Sequence, residues 1–320
     1  MFKTALLYIL TGLLWLWCAF AIFFYGLDQP FDWIVAACFA LAVPLVLVLL
    51  PYRLYAFCVI FSLYAVIITV WVQKQPRLDK DWLQSVARLP RVVYEGEQVT
   101  VYDIRDFDYQ TETEFIARYY NKRFNLNQLN EVNYILSYWD GNLAVAHTML
   151  SFGFSNGDHL AVSLETRLAK NQPQSGLNGL FKQYEVIYIL ADEADIFRLR
   201  TNYRQEEMFL YPLNLKPETA KAMLLSVLDR VNILYQQPEF YNTLTHNCFT
   251  GLQSDFRKIS DSNKALFDYR WFANGYSDEM IYENGKIKTN LSFAETKQRH
   301  HINQYTAAAT AENYSRLIRP

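Results

Sequence analysis

The 320-residue chain has only four cysteines, and three of them, Cys18, Cys38 and Cys58, fall inside long apolar runs, where a small polarizable side chain serves packing. The fourth, Cys248, has no partner in its domain. A structural disulfide is thereby excluded, and a lone thiol remains in the polar stretch YNTLTHNCFTGL. Neither Cys-x-x-Cys nor His-Glu-x-x-His occurs, so a zinc site made from Cys, His and Glu lacks the usual ligand spacing, and no metal or other cofactor is implied. A net charge of −2 with mixed signs gives no electrostatic case for nucleic acid. Internal repeats and low-complexity tracts are absent.

Charge is missing altogether from three stretches, Leu6 to Tyr25, Trp33 to Leu50 and Leu54 to Val72, each long enough to cross a hydrocarbon layer of about 30 Å as a helix. A cleavable signal peptide is the alternative for the first, which follows Met1 and Lys3. Two comparable stretches follow at once, and the set reads as a three-helix anchor over residues 1–73. Lys3 and Arg53 on the cytoplasmic side, with Asp28 and Asp32 in a base-free loop opposite, favour an outward C-terminal domain. Lys74, Arg77 and Lys80 argue the other way.

Residues 74–90 read as a linker with one helix, and residues 91–320 as one compact domain. Gln98 to Ile104 alternates as a strand. Asn133 to Trp139 and Leu143 to Leu150 flank Asp140-Gly141, a pair suited to a two-residue hairpin turn. Ser155 to Asp158 leads into a third strand, His159 to Thr166, and Tyr184 to Leu190 and Met208 to Leu213 supply two more. From Pro217 the period becomes helical, through Ala220, Met223, Leu224, Val227 and Val231, and Pro238 ends it. Phe249, Leu252, Phe256 and Ile259 recur at helical spacing, which puts Cys248 at a helix start.

A helix N-terminus favours the thiolate, and backbone N–H groups near Cys248 and Phe249 can receive an oxyanion. Five histidines are available as bases. His300 and His301 lie in a polar region, His246 in the turn before the thiol, and His159 at a strand entrance beside Asp158. His147 sits in the apolar strand AVAHTMLSF, where a buried imidazole needs a partner. A turn centred near Gly157 puts Glu165 on the same face as His147 across two neighbouring strands; a register one residue different puts it on the other. Cys248, His147 and Glu165 then form a candidate nucleophile, base and orienting carboxylate. The bland alternatives are an inert Cys248, a satisfied core histidine, and Asn247 as a plain helix cap. Tyr241, Asn242 and Asn247 are candidates to line the substrate pocket, against packing for the tyrosine and a plain cap for Asn247. Arg105 and Arg167 are candidates to bind a phosphate or carboxylate, against surface ion pairs.

The ordered motifs AHTMLSFGFSNGDHLAVSLETR, GLFKQYEVIYILADEADIFRLRTN, EFYNTLTHNCFTGL and YSRLIR, spread from about Val93 to Pro320, resemble the bacterial family named for the N-terminal periplasmic domain of the lipoprotein acyltransferase Lnb. The resemblance implies an α+β, circularly permuted papain-like fold with an antiparallel sheet packed on helices, in which the histidine strand precedes the cysteine helix. It also implies a multi-pass protein of the bacterial inner membrane with its C-terminal domain in the periplasm. Acyl transfer through a thioester is the implied chemistry, with a membrane lipid or a bacterial lipoprotein as donor and an amine or water as acceptor. In the named member, an ester-linked acyl chain moves onto the lipoprotein cysteine's own amino group. A cell-wall peptide hydrolase or amidase with the same triad, and a non-catalytic lipid- or peptide-binding protein, are the alternatives.

Overall fold

The computed structural model describes residues 2–26, 30–139, 141–252, 268–271 and 273–319. Phe256 and Ile259, half of the stripe expected after Cys248, lie outside them, as does Asp28. The chain divides into two compact units, one of residues 1–78 with 174–184 and one of residues 79–173 with 185–320.

The first unit holds α1 (Phe2–Phe23), α2 (Phe31–Leu49) and α3 (Arg53–Gln73). All three are long and apolar enough to cross a membrane. They meet through Cys18, Val43, Ile60 and Tyr64, and the Tyr64 hydroxyl donates to the Thr11 carbonyl at 3.0 Å. Leu41, Val48, Leu54 and Val72 remain exposed, the arrangement expected of helices that face lipid. The short helix α4 (Gly176–Leu180) also belongs here, and the adjoining Phe181 packs among Trp17, Phe20, Phe24 and Trp71.

The second unit is an α+β domain built on one eight-stranded sheet. Its strands are β1 (Arg91–Glu95), β2 (Gln98–Arg105), β5 (Tyr119–Asn125), β6 (Leu129–Tyr138), β7 (His147–Phe154), β8 (His159–Arg167), β9 (Glu185–Ala191) and β10 (Glu207–Pro212). Between β2 and β5 lies a separate ribbon of β3 (Asp108–Tyr109) and β4 (Phe115–Ile116). The strand order is β1-β2-β9-β8-β7-β6-β10, with β5 also on β2. The expected antiparallel sheet is mixed: β2 meets β9 in parallel at Arg105 and Ala191, a join that needs the long crossover carrying β3 to β8.

Both faces of this sheet are covered, and period-two alternation sorts the side chains. Val186, Tyr188 and Leu190 of β9 face one core with Val162 and Leu164, under Met223, Leu224, Val227 and Val231 of α6 (Pro217–Gln236). Ile187 and Ile189 face the other, with Ile135, Met149 and Ala161, against Ile196 and Phe197 of α5 (Glu193–Arg198) and the C-terminal Tyr314 and Ile318. Pro217 opens α6 where a missing N–H costs nothing, as the sequence implies.

Two sequence expectations are corrected here. The two-residue hairpin expected at Asp140-Gly141, of which Asp140 lies outside the described residues, gives way to a longer connection: β6 ends at Tyr138 and β7 begins at His147. Gly275 accounts for the longer connection, its N–H donating to the Ala144 carbonyl at 3.1 Å, while Asn274 brackets Ala146 from both sides. Residues 79–90, expected as a linker, belong to the domain: Leu83 N–H donates to the Leu168 carbonyl at 2.9 Å, and Lys170 N–H to that of Asp81 at 2.7 Å.

Candidate functional site

The β7–β8 hairpin creates the first half of the site. Gly157 takes a φ of +88° in its turn, a conformation that suits glycine, and the pairing runs from Gly153 opposite His159 to Met149 opposite Ser163. One step of two residues further along, the same register sets His147 opposite Glu165. His147 Nε2 lies 3.2 Å from Glu165 Oε1, so the two side chains share a face. His147 is the first residue of its strand rather than a central one, and Asn274 fixes its approach: Ala146 N–H donates to Asn274 Oδ1 at 3.1 Å, and Asn274 Nδ2 donates to the Ala146 carbonyl at 2.7 Å.

Helix α7, described over residues 248–252, supplies the second half. Asn247 is its cap, accepting at Oδ1 from the N–H groups of Phe249 and Thr250, both at 2.9 Å, while Thr250 Oγ1 accepts from Asn247 N–H at 2.9 Å. The cap reading of Asn247 therefore holds. Its bond to Phe249 also corrects an expectation, because that N–H is occupied. Gly251 lets α7 approach β8 closely: a Cβ there would stand 2.4 Å from Leu164 Cδ1.

Cys248 and His147 each act on the other's ionisation, and the Thr148 backbone also favours the ionised sulfur. Burial pushes the Cys248 thiol up, and His147 more than offsets this, so the thiol lies below its ordinary value. Burial opposes the imidazolium of His147, but Glu165 and then Cys248 favour it and raise the group to about 9. Burial likewise opposes the Glu165 carboxylate, yet His147 and Arg200 hold it well below the usual carboxylate range. Together the directions favour a thiolate and imidazolium pair backed by an anion.

Two polar residues that sequence reasoning did not single out complete this arrangement. Ser163 Oγ lies 2.7 Å from His147 Nε2 and donates to Glu165 Oε1 at 2.7 Å. Arg200 Nη2 donates to the same carboxylate oxygen at 2.8 Å. Ser163 carried a signal, being two residues before Glu165 and hence on its face of the strand. Arg200 carried none, because its reach depends on a wide π-helical turn, Leu199–Tyr203, after α5.

The remaining candidates divide. Tyr241 lies near the thiol, its phenol pushed up by burial and then by the charges of Cys248 and Glu165. Asn242 shapes the turn: its Oδ1 accepts from Leu244 and Thr245 N–H at 3.0 Å, and its backbone pairs with His246. Arg105 and Arg167, the candidates for a phosphate or carboxylate, are both engaged within the domain. Buried Arg105 forks onto Asp195 through Nε at 2.9 Å and Nη2 at 2.7 Å, and gives Nη1 to the Ser85 carbonyl. Arg167 donates to the carbonyls of Val86 and Ala87 and covers the Trp82 ring. Both tie the domain's N-terminal segment to the sheet. His246 lies 3.6 Å from Glu239, His301 lies 2.7 Å from Glu207, and half-buried His159 and buried His300 are pushed below the ordinary imidazole value, His159 by desolvation and His300 by desolvation and then by Arg299.

An α+β domain that sets a cysteine at a helix start against a histidine on a neighbouring strand, in a chain with three membrane-length helices, defines a class of envelope-associated protein. The chain belongs to the Lnb N-terminal periplasmic domain family, matched over residues 116–275, a span that includes His147, Glu165 and Cys248. The family and the apolar helices together make it a membrane protein with a periplasmic C-terminal domain. Neither a curated protein nor a solved structure matches the chain.

Proposed function

We propose that the domain is a thiol acyltransferase working on lipid-linked substrates. The observation that carries this reading is geometric: His147 Nε2 lies 3.2 Å from Glu165 Oε1 in the domain that sets Cys248 at the start of a capped helix, and the thiol is lowered by His147 as the imidazole is raised by Glu165. Such a pair is what nucleophilic catalysis by a thiolate needs. The chain order of histidine strand, carboxylate strand and cysteine helix is that of a permuted papain-like enzyme, and the three apolar helices in the same chain favour a substrate drawn from the membrane.

Cys248 Sγ attacks the carbonyl carbon of an ester-linked acyl chain and forms a C–S bond. The Cys248 N–H, at the head of α7 and not bound to the Asn247 side chain, helps to hold the oxyanion. As the ester C–O bond breaks, His147 gives its proton to the departing alcohol oxygen. An amine or water then adds to the thioester, His147 takes up its proton, and the C–S bond breaks to restore the thiolate.

Intact mass spectrometry of the purified full chain with membrane lipids tests the reading. A fatty-acyl increment on Cys248, absent from Cys248→Ala, is expected. A peptide adduct would favour the cell-wall hydrolase instead, and an unmodified thiol after exposure to ester lipids and lipoprotein would contradict acyl transfer.

A further inference from the structure

We propose that Arg200 is a positioning residue of the thiol site, holding Glu165 in place so that Ser163 fixes the working tautomer of His147. This rests on the thiol-enzyme reading above. Arg200 is buried, at 5% exposure, and bridges two carboxylates. Nη2 donates to Glu165 Oε1 on β8 at 2.8 Å, whereas Nε faces Glu206 Oε2 at 3.7 Å. Glu206 accepts from Ser137 Oγ at 2.5 Å, and Ser137 is the β6 residue paired with His147. The guanidinium therefore links groups associated with the strands on either side of His147. Its remaining bond, Nη1 to the Ile196 carbonyl at 2.9 Å, ties it to α5.

Glu165 Oε1 receives Ser163, Arg200 and His147 together, and charge-assisted bonds of this kind resist rotation of the carboxylate. A hydroxyl has one proton. Because Ser163 Oγ donates it to Glu165, the oxygen can only accept from His147, so Nε2 carries the imidazole proton. Nδ1 is then the unprotonated nitrogen of the neutral ring, the one able to act as base. Without Arg200, Glu165 would keep His147 but lose the second cation that holds its carboxylate, so its affinity for a proton would rise. Ser163 could then turn and donate to Nε2, which would put the proton on Nδ1 and remove the base.

A purely structural arginine would support the fold without moving the titration of the thiol. The test is the pH dependence of iodoacetamide alkylation at Cys248, read by peptide mass mapping on the full chain in detergent, for wild type, Arg200→Met, Arg200→Lys and the double variant Arg200→Met/Glu206→Gln. The double variant removes one carboxylate along with the cation, so it carries the comparison if Arg200→Met alone does not fold. The thiol midpoint is expected to rise by about one unit in the methionine variants, a loss of about tenfold in rate at neutral pH. Lysine, which keeps the charge, should recover most of it. A low midpoint in wild type that is unchanged without Arg200 would overturn the positioning role and leave the thiol enzyme standing. An ordinary midpoint in wild type would overturn both.

Discussion

His147 and Glu165 face each other across the β7–β8 pair, with Nε2 3.2 Å from Oε1. Against the opposing effect of burial, the carboxylate does most to raise the imidazole. Replacing Glu165 by Gln keeps the size of the side chain and removes the charge. His147 should then fall from about 9 toward the ordinary imidazole value near 6.5, so that the imidazolium is largely lost at neutral pH. The thiol loses its nearby cation, and alkylation of Cys248 should slow by about tenfold or more at neutral pH. NMR titration of the His147 ring checks the first effect and the alkylation rate the second.

Turnover and alkylation should part company at alkaline pH. Alkylation needs only the thiolate, which forms below the ordinary thiol range and persists as pH rises. Acyl transfer also needs the His147 proton for the leaving group, and that proton is lost as pH rises through about 9. Acyl transfer should therefore plateau through neutral pH and decline above about 9, while alkylation does not decline. Parallel profiles would remove His147 from the acid role.

Gly275 sets the approach to His147. A Cβ at this position would fall 2.1 Å from the Leu143 carbonyl oxygen and 2.9 Å from the carbonyl carbons of Leu143 and Ala144, all backbone atoms that cannot rotate aside. Gly275→Ala should cost on the order of 1–3 kcal/mol by forcing the backbone apart. It should also break the Gly275 to Ala144 hydrogen bond and so loosen the strand entrance. Denaturant unfolding measures the first, and the slower alkylation of Cys248 reports the second.

The parts of this architecture that local pattern controls were legible in the sequence. Charge-free runs of membrane length became α1 to α3, and Pro217 and its apolar stripe became α6. The turn at Gly157 fixed which face Glu165 occupies, because in a tight hairpin the turn sets the register. What escaped depends on residues far apart in the chain. Asp140-Gly141 is a turn signal by itself, but Asn274 and Gly275 decide where β7 begins. Arg105 and Arg167 resemble anion ligands until Asp195 and the carbonyls of residues 86 and 87 are brought to them. Arg200 follows a short, charge-rich helix, and nothing nearby announces that a π-helical turn aims it at Glu165.

The most direct test of the central claim is the titration midpoint of the Cys248 thiol, measured by alkylation rate against pH in wild type and in His147→Ala. The influence of His147 on the thiol predicts a wild-type midpoint below about 8.5 and a return to that value or above when the imidazole is removed. The same midpoint in both proteins would contradict it.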